Sequence, residues 1–520
     1  MRADTLTEPV DGLADALAAV DALDRALTAG LLRPRPAQAA DLAVLADAVA
    51  ASPLASRVAE AAEKAAAGTA AEDHFLALAA ARTALLGAAH DALAERIAEA
   101  TGRAADSTAP REKAVDGTDG TGGPETGAEN ANTDTRIGTA EQSPADSARP
   151  PGASDPSASG HSSASAAEPP DTPRDTTNLR AAARTWLTDL ARAGWQGIDH
   201  ELIAGAAPVV SALLAEPSAR RLAALLDGFA AELAASCPGT ALERVPARRW
   251  GDLWARATLL TAPGADPAPA TGTATGRLLP LGVDLHEHAT AVQAQVHAVL
   301  EPADGTPPRL VRASVSAPKP DTVVGAGVWQ LLRPHMTLLA ALGEGRSTEL
   351  DGMPVTAEGD LLWDDAHAHA GEPADAFTTA RVALPTALTA PTAPLDRHPA
   401  RLAVPVLLEG YTVRQDGDGV EFVLAGQPLA VDTDRIPAAS PLTPDAVAAS
   451  GACVGLLRWD GGRFTVQPLA VETVVRKKAV ALHAGAWAGG TADKAGVKAE
   501  KAATDAVAVL RERAGRLLRK

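Results

Sequence analysis

The feature that most constrains the fold is the recurrence of apolar residues at every second position in the second half of the chain. Apolar side chains occupy every second position from Val292 to Leu300. The alternation returns from Val311 to Val315 after the turn EPADGTPP. A period of two places one face of a β-strand in a core. With Arg277–His288 as a preceding strand, the stretch predicts a three-stranded antiparallel meander.

Before the meander, the apolar residues recur at helical spacing instead. In the first hundred residues, Leu13, Leu17 and Val20 follow this spacing and leave acidic residues on the opposite face. Residues 1–102 are therefore predicted to form an antiparallel, coiled-coil-like bundle of three or four helices. Two interpretations stay open, a docking or oligomerisation module and a purely structural bundle.

Residues 178–262 are predicted to form a second helical subdomain. Its last helix carries Trp250 and Trp254, four residues apart and so on one helical face. A tryptophan pair at this spacing is typical of a core, and ligand stacking is the rarer alternative. Residues 103–177, between the two helical regions, are dense in Gly, Pro, Ser, Thr, Asp and Ala. Such a composition cannot bury enough apolar area to offset its ordering entropy, which predicts a disordered linker.

After the meander, residues 277–475 are predicted to form an antiparallel β-rich module. Arg401–Arg414 and Val420–Val431 are joined by the turn QDGDG, and Cys453–Trp459 is joined to Arg463–Val475 by DGG. A helix interrupted at Pro334 is expected between the meander and these hairpins. The predicted fold class is α+β: helices first, then an antiparallel sheet or partly closed barrel, then a C-terminal helix.

Charge and composition exclude several functional classes. A net charge of −18 repels a phosphate backbone, so no nucleic-acid partner is expected. Two cysteines, Cys237 and Cys453, are too few for a disulfide framework or a cysteine zinc site. The N-terminus lacks the basic and apolar regions of a signal peptide, and no apolar run is long enough for a membrane span. These observations predict a cytoplasmic protein.

The bias toward Ala, Gly, Arg, Asp and Thr is typical of a high-GC bacterial genome, such as that of an actinobacterium.

The candidate ligand-bearing residues are two histidine pairs. On an extended backbone, Asp284, His286 and His288 share one face, and Glu287 points to the other. A second pair, His367 and His369, follows two aspartates. Imidazole and carboxylate groups suit zinc, iron or manganese, so convergence of the two pairs would make a metal site. The alternative interpretation is that they are surface histidines on loops or strand edges.

No complete catalytic motif accompanies these residues. The HEH run does not match the helical H-E-x-x-H pattern, and no G-x-x-x-x-G-K-[ST], G-x-G-x-x-G or G-x-S-x-G is present. The terminal segment 476–520 is predicted to contain a basic helix. It could contact an acidic partner, an anionic lipid surface or nucleic acid, or be a solvated helix that covers the domain. Its basic residues are Lys494, Lys498, Lys501, Arg511, Arg513, Arg516, Arg519 and Lys520.

Four phrases carry a resemblance to a known group: LPLGVDLHEHATAVQAQVHAVLEP, RLVRASVSAPKPDTVVGAGVWQLL, GDLLWDD and PLDRHPARLAVPVLLEGY. The chain resembles, over most of its length outside the linker, uncharacterised actinobacterial proteins encoded near MoxR-type AAA ATPases, von Willebrand A-domain proteins and SWIM zinc-finger proteins. The resemblance implies an accessory component of such a system. It carries over no catalytic residue, and the chain lacks the cysteine pattern of a SWIM finger and the phosphate loop of an ATPase.

Together these features favour a non-enzymatic accessory or scaffold protein that binds a protein partner and carries no cofactor. The alternative is a metal-dependent, hydrolase-like enzyme that uses Asp284, His286, His288, His367 and His369 with zinc or another divalent metal.

Overall fold

The computed structural model describes residues 2–103, 176–262, 265, 272–288, 290–320, 322–416, 419–475 and 478–517. The predicted linker, 103–177, lies outside the described residues except at its two ends. The α+β class is confirmed, with helices first, antiparallel-rich sheets next and a C-terminal helix last. Within the described part of the chain, none of the helices combines the length and the apolar character that crossing a bilayer requires.

The N-terminal region is helical, as its periodicity predicts. Pro36 occupies the first position of the third helix, where its missing N–H is not needed. Gly102 ends the fifth helix with a φ of 69°, a left-handed conformation that glycine adopts without steric cost. The helices are α1 (Ala3–Thr7), α2 (Leu13–Ala29), α3 (Pro36–Ala48), α4 (Ala55–Ala66) and α5 (Glu72–Thr101).

The second helical region packs around aromatic side chains. Trp250 and Trp254 are both buried, which confirms their predicted place in a core. The Trp195 ring meets the rings of Phe229 and Trp250 edge to face, with centroids 6.0 and 6.1 Å apart. The helices are α6 (Thr177–Ala193), α7 (His200–Ala204), α8 (Ala206–Leu214), α9 (Arg220–Ala235) and α10 (Ala247–Leu260).

The two helical regions share one hydrophobic core, which differs from the predicted division into a bundle and a separate subdomain. Leu27 and Phe75 of the first region pack in the same cluster as Trp195 and Trp250 of the second. The physical reason is composition. The N-terminal helices are rich in alanine, which buries little apolar area, and the tryptophans of the second region supply the missing bulk.

The predicted meander forms the start of a six-stranded sheet. Its strand order is β1-β2-β3-β5-β4-β6, and every pairing is antiparallel except β3 with β5. Strand β1 also pairs with β4, so five of the strands close into a ring, which corresponds to the barrel alternative of the predicted antiparallel sheet or partly closed barrel. The strands are β1 (Gly272–Glu287), β2 (Ala291–Pro302), β3 (Arg309–Pro318), β4 (Arg346–Val355), β5 (Asp360–Leu361) and β6 (Ala368–Pro373).

A second, seven-stranded sheet follows, with the order β7-β11-β12-β10-β9-β8 and β13 also paired to β12. The stretches predicted as single strands, Arg401–Arg414 and Val420–Val431, each contain a tight turn. Gly410 and Gly426 take positive φ values of 70° and 86° there, so each stretch includes two strands. The strands are β7 (Val404–Glu409), β8 (Thr412–Asp416), β9 (Gly419–Leu424), β10 (Gln427–Val431), β11 (Ser450–Asp460), β12 (Arg463–Val475) and β13 (Lys478–His483).

The two sheets meet where β1 crosses β12. A Cβ atom at Gly282 would lie 2.7 Å from the Cβ of Leu469, so only glycine allows this approach. Apolar residues of both sheets form one core cluster there. The helices around the sheets are α11 (Val328–Leu331), α12 (Met336–Glu344), α13 (Ala376–Val382), α14 (Pro444–Ala448) and α15 (Lys494–Leu517). The expected interruption at Pro334 is a short 3-10 turn, Arg333–His335.

Candidate functional site

Asp284, the first candidate ligand, is a buried link between the two sheets. It lies on β1, and its carboxylate accepts hydrogen bonds from Arg458 Nη2 at 2.5 Å and Gln467 Nε2 at 2.8 Å. Arg458 also donates from Nε to Gln467 Oε1 at 2.6 Å. His286 Nε2 lies 3.0 Å from the same carboxylate. We call these four residues the intersheet cluster.

Electrostatics holds the Asp284 carboxylate in its charged form. Burial alone would raise the pKa of this carboxyl, but the hydrogen bond from His286 and the positive charge of Arg458 outweigh burial. They hold the pKa of Asp284 well below its usual range. His297 lies opposite Gly282 on the neighbouring strand, and burial lowers its pKa to about 3. The His297 imidazole is therefore neutral at physiological pH.

The intersheet cluster is arranged as a structural clamp rather than as a metal centre. Three donors already occupy the two oxygens of Asp284, and the nearby Arg458 guanidinium would repel a cation. Over the described ranges, no group of three His, Cys, Asp or Glu side chains is placed to hold a metal ion. Glu287 and His288, which follow the cluster residue His286 in the chain, are exposed. Glu287 pairs with Lys319 Nζ at 3.3 Å.

The second histidine pair lies elsewhere. His367 Nδ1 is 2.7 Å from the carbonyl oxygen of Asp351. His369 is exposed on β6, where it pairs with Glu349 of β4. On its other side Glu349 pairs with Arg277 of β1, which lies nine residues before His286. The structure thus brings Asp284 and His286 together but does not bring either to His367 and His369. His369 borders a cavity of about 370 Å³ between α12 and the β4–β6 edge.

The terminal helix α15 has two unlike halves. Its first half packs on the turn before α11, where a Cβ atom at Gly327 would lie 2.9 Å from Ala499 O and 3.0 Å from Ala503 Cβ. Ala503 is buried and Ala506 packs against the core. From residue 508 to residue 513 every side chain is exposed, as is that of Arg516. We call residues 508–516 the distal end.

The distal end combines apolar and basic side chains. Val509 and Leu510 are adjacent in the chain and are each 46% exposed. Leu510 continues the stripe that starts at Ala503 and Ala506, because residues three and four apart share a helical face. Arg513 lies four positions after Val509 and three after Leu510, so it borders the same surface.

Comparison with known proteins gives no relative. No family model matches the chain, and neither a curated protein nor a solved structure is significantly similar to it. The resemblance to proteins of the AAA ATPase neighbourhood therefore stays a prediction.

Arg458 and Gln467, which complete the intersheet cluster, were not singled out from the sequence. A signal was present, since each interrupts an apolar strand with a large polar side chain. A buried polar residue on a strand needs a partner. The pattern does not say which partner, because the register between two sheets is a tertiary property.

Proposed function

We propose that this chain is a cytoplasmic, non-enzymatic accessory protein that binds a protein partner, and that the distal end of α15 is the contact. The observation that carries the proposal is the exposure of the adjacent Val509 and Leu510, on a helix whose first half packs through Ala499 and Ala503 on Gly327. Burial of a valine or leucine side chain is worth about 1.5–3 kcal/mol, which a partner surface would supply.

The helical state of the distal end also supports a recognition role. A free helix of about ten residues is marginal in water because nucleation is costly. Here the helix of 24 residues is nucleated by its packed first half, so the distal end is presented already folded. A pre-formed element loses less conformational entropy on binding than a disordered one does.

The charge of the distal end favours an acidic partner over a second copy of the chain. Arg511 and Arg513 border its apolar residues, and the only acidic side chain there, Glu512, is paired with Arg516. Pairing two copies through this face would bring arginines together, which disfavours self-association. A groove with apolar walls and acidic rims is the complementary surface. We propose a component of an AAA ATPase or von Willebrand A-type system as the first partner to test.

The experiment is quantitative copurification of the full chain from its native host. The double variant Val509→Ser/Leu510→Ser removes the exposed apolar residues. The matched control, Val474→Ser/Val497→Ser, removes two other exposed valines, one on β12 and one on the packed half of α15. We expect wild type and control to retain a stoichiometric partner, and the distal-end variant to lose it.

Two results would contradict the proposal. One is the absence of any stoichiometric partner of wild type, and the other is equal retention by the distal-end variant. Binding of the wild type to anionic vesicles in place of a protein would also contradict it, and vesicle cosedimentation measures this.

A further inference from the structure

A cluster of arginines lies between the second helical region and the segment before β7. Asp396 receives hydrogen bonds from three guanidinium groups, each carried by a different element. Arg401 Nη1 lies at 3.0 Å, Arg256 Nη2 at 3.2 Å and Arg221 Nη2 at 3.4 Å. Arg221 is on α9, Arg256 is on α10, and Arg401 ends the 3-10 turn Pro399–Arg401. We call these three arginines the arginine cluster.

The arginine cluster has more positive charge and more donors than the nearby acceptors satisfy. Each guanidinium has five N–H donors, and one carboxylate has about four acceptor sites. The second acidic side chain near Arg256, Asp252, is 3.9 Å away, beyond hydrogen-bond distance. Arg256 Nε has no hydrogen-bond partner among the described residues. Burial lowers the pKa of Arg256, and the charge of Arg401 lowers it further.

The exposure of the cluster leaves its outer side open to a ligand. The Arg221 and Arg401 side chains are 39% and 44% exposed, while Arg256 is 12% exposed. Each arginine uses one nitrogen on Asp396, so the two exposed ones keep donors that Asp396 does not occupy.

We propose that the arginine cluster binds a phosphate group, free or esterified on a small molecule. Guanidinium groups present planar forks of donors that match the oxygens of phosphate, and several arginines around one point are typical of such sites. Asp396 then holds the three arginines in position, and the incoming oxyanion accepts the donors that Asp396 leaves unused. This site is separate from the distal end of α15 and does not depend on the partner proposed for it.

Phosphate binding is measured by isothermal titration calorimetry on the full chain, with inorganic phosphate and phenyl phosphate as probes and acetate at matched ionic strength as a reference. We expect one saturable site for phosphate and none for acetate. The variant Arg221→Gln/Arg401→Gln should weaken binding by about tenfold or more, because it removes two positive charges and their charge-assisted hydrogen bonds to the anion. The matched control Arg414→Gln removes an exposed arginine paired with Glu421 and should bind like wild type.

The variant Asp396→Asn separates a ligand site from a purely structural ion-pair cluster. Removal of the competing negative charge should tighten phosphate binding, whereas a structural role alone predicts no binding in either form. Thermal melting reports whether each variant folds. If Asp396→Asn does not fold, the exposed arginine variant decides the question. No saturable phosphate binding by wild type, or equal binding by the double arginine variant, overturns the proposal. Tighter binding of phenyl phosphate than of inorganic phosphate assigns the site to esters, and the reverse assigns it to free phosphate.

Discussion

The intersheet cluster and the distal end of α15 use polar and charged residues in opposite ways. In the first, Asp284, Arg458 and Gln467 are buried and satisfy one another across two sheets. In the second, Val509, Leu510 and the basic side chains beside them are exposed. Asp284, a candidate metal ligand in the sequence, is thus a buried link between the two sheets. The residues proposed to contact a protein partner belong instead to α15.

The largest expected effect is the loss of stability when a buried ion pair is broken, compared with the loss when a more exposed pair is broken. Asp284→Ala leaves the Arg458 guanidinium buried without its counter-charge, which should lower the free energy of unfolding by about 3–5 kcal/mol. The matched control, Asp360→Ala, breaks the more exposed pair with Arg312 and should cost about 0–1 kcal/mol. Urea denaturation measures both. A cost for Asp284→Ala no larger than that of the control would show that the cluster does not hold the sheets together.

The next prediction concerns pH and the buried His297 beside the cluster. Its folded pKa of about 3 is below the unfolded value of about 6.5, so below pH 6.5 the unfolded state binds a proton that the folded state excludes. Stability should therefore fall as pH falls from about 6.5 toward 3. His297→Leu should remove about 2 kcal/mol of the stability loss between pH 7 and pH 5.

Urea unfolding at the two pH values checks this effect. The control His288→Leu, at an exposed position, should keep the wild-type loss of stability. If wild type and His297→Leu lose the same amount, the histidine is protonated in the folded state and the account of this region is incorrect.

The smallest expected effect is the stability change at the distal end. Because Val509 and Leu510 are exposed and make no core contact, Val509→Ser/Leu510→Ser should change the free energy of unfolding by about 0.5 kcal/mol or less. Urea unfolding of the isolated protein measures it. A loss comparable to that of Asp284→Ala would mean that the distal end packs in solution, which would remove the contrast between the two regions.

Local patterns predicted much of the fold and little of the site. The alternation from Val292 to Leu300 is a property of one strand, and the structure has that strand within two residues at each end. The helical spacing of apolar residues before this strand predicted the helices just as directly. By contrast, the shared core of Phe75 and Trp250 joins residues far apart in the chain, and composition alone suggested two separate units.

The site predictions were limited for the same physical reason. The pattern D-x-H at Asp284 and His286 correctly places two side chains on one face, and the structure puts them 3.0 Å apart. Whether that face meets a metal, a substrate or another strand depends on what packs on it. Here Arg458 packs on it, from a strand that comes much later in the chain. The exposure of Leu510 was equally hidden, because the spacing of apolar residues along a helix does not say whether another element covers them.

The most direct test of the contrast is amide hydrogen exchange of the full chain, alone and with the partner that copurifies with it. We predict slower exchange at residues 508–516 in the complex and unchanged exchange at β1 around Asp284. Unchanged exchange at the distal end, or protection that appears only around the intersheet cluster, would contradict the assignment of partner binding to α15.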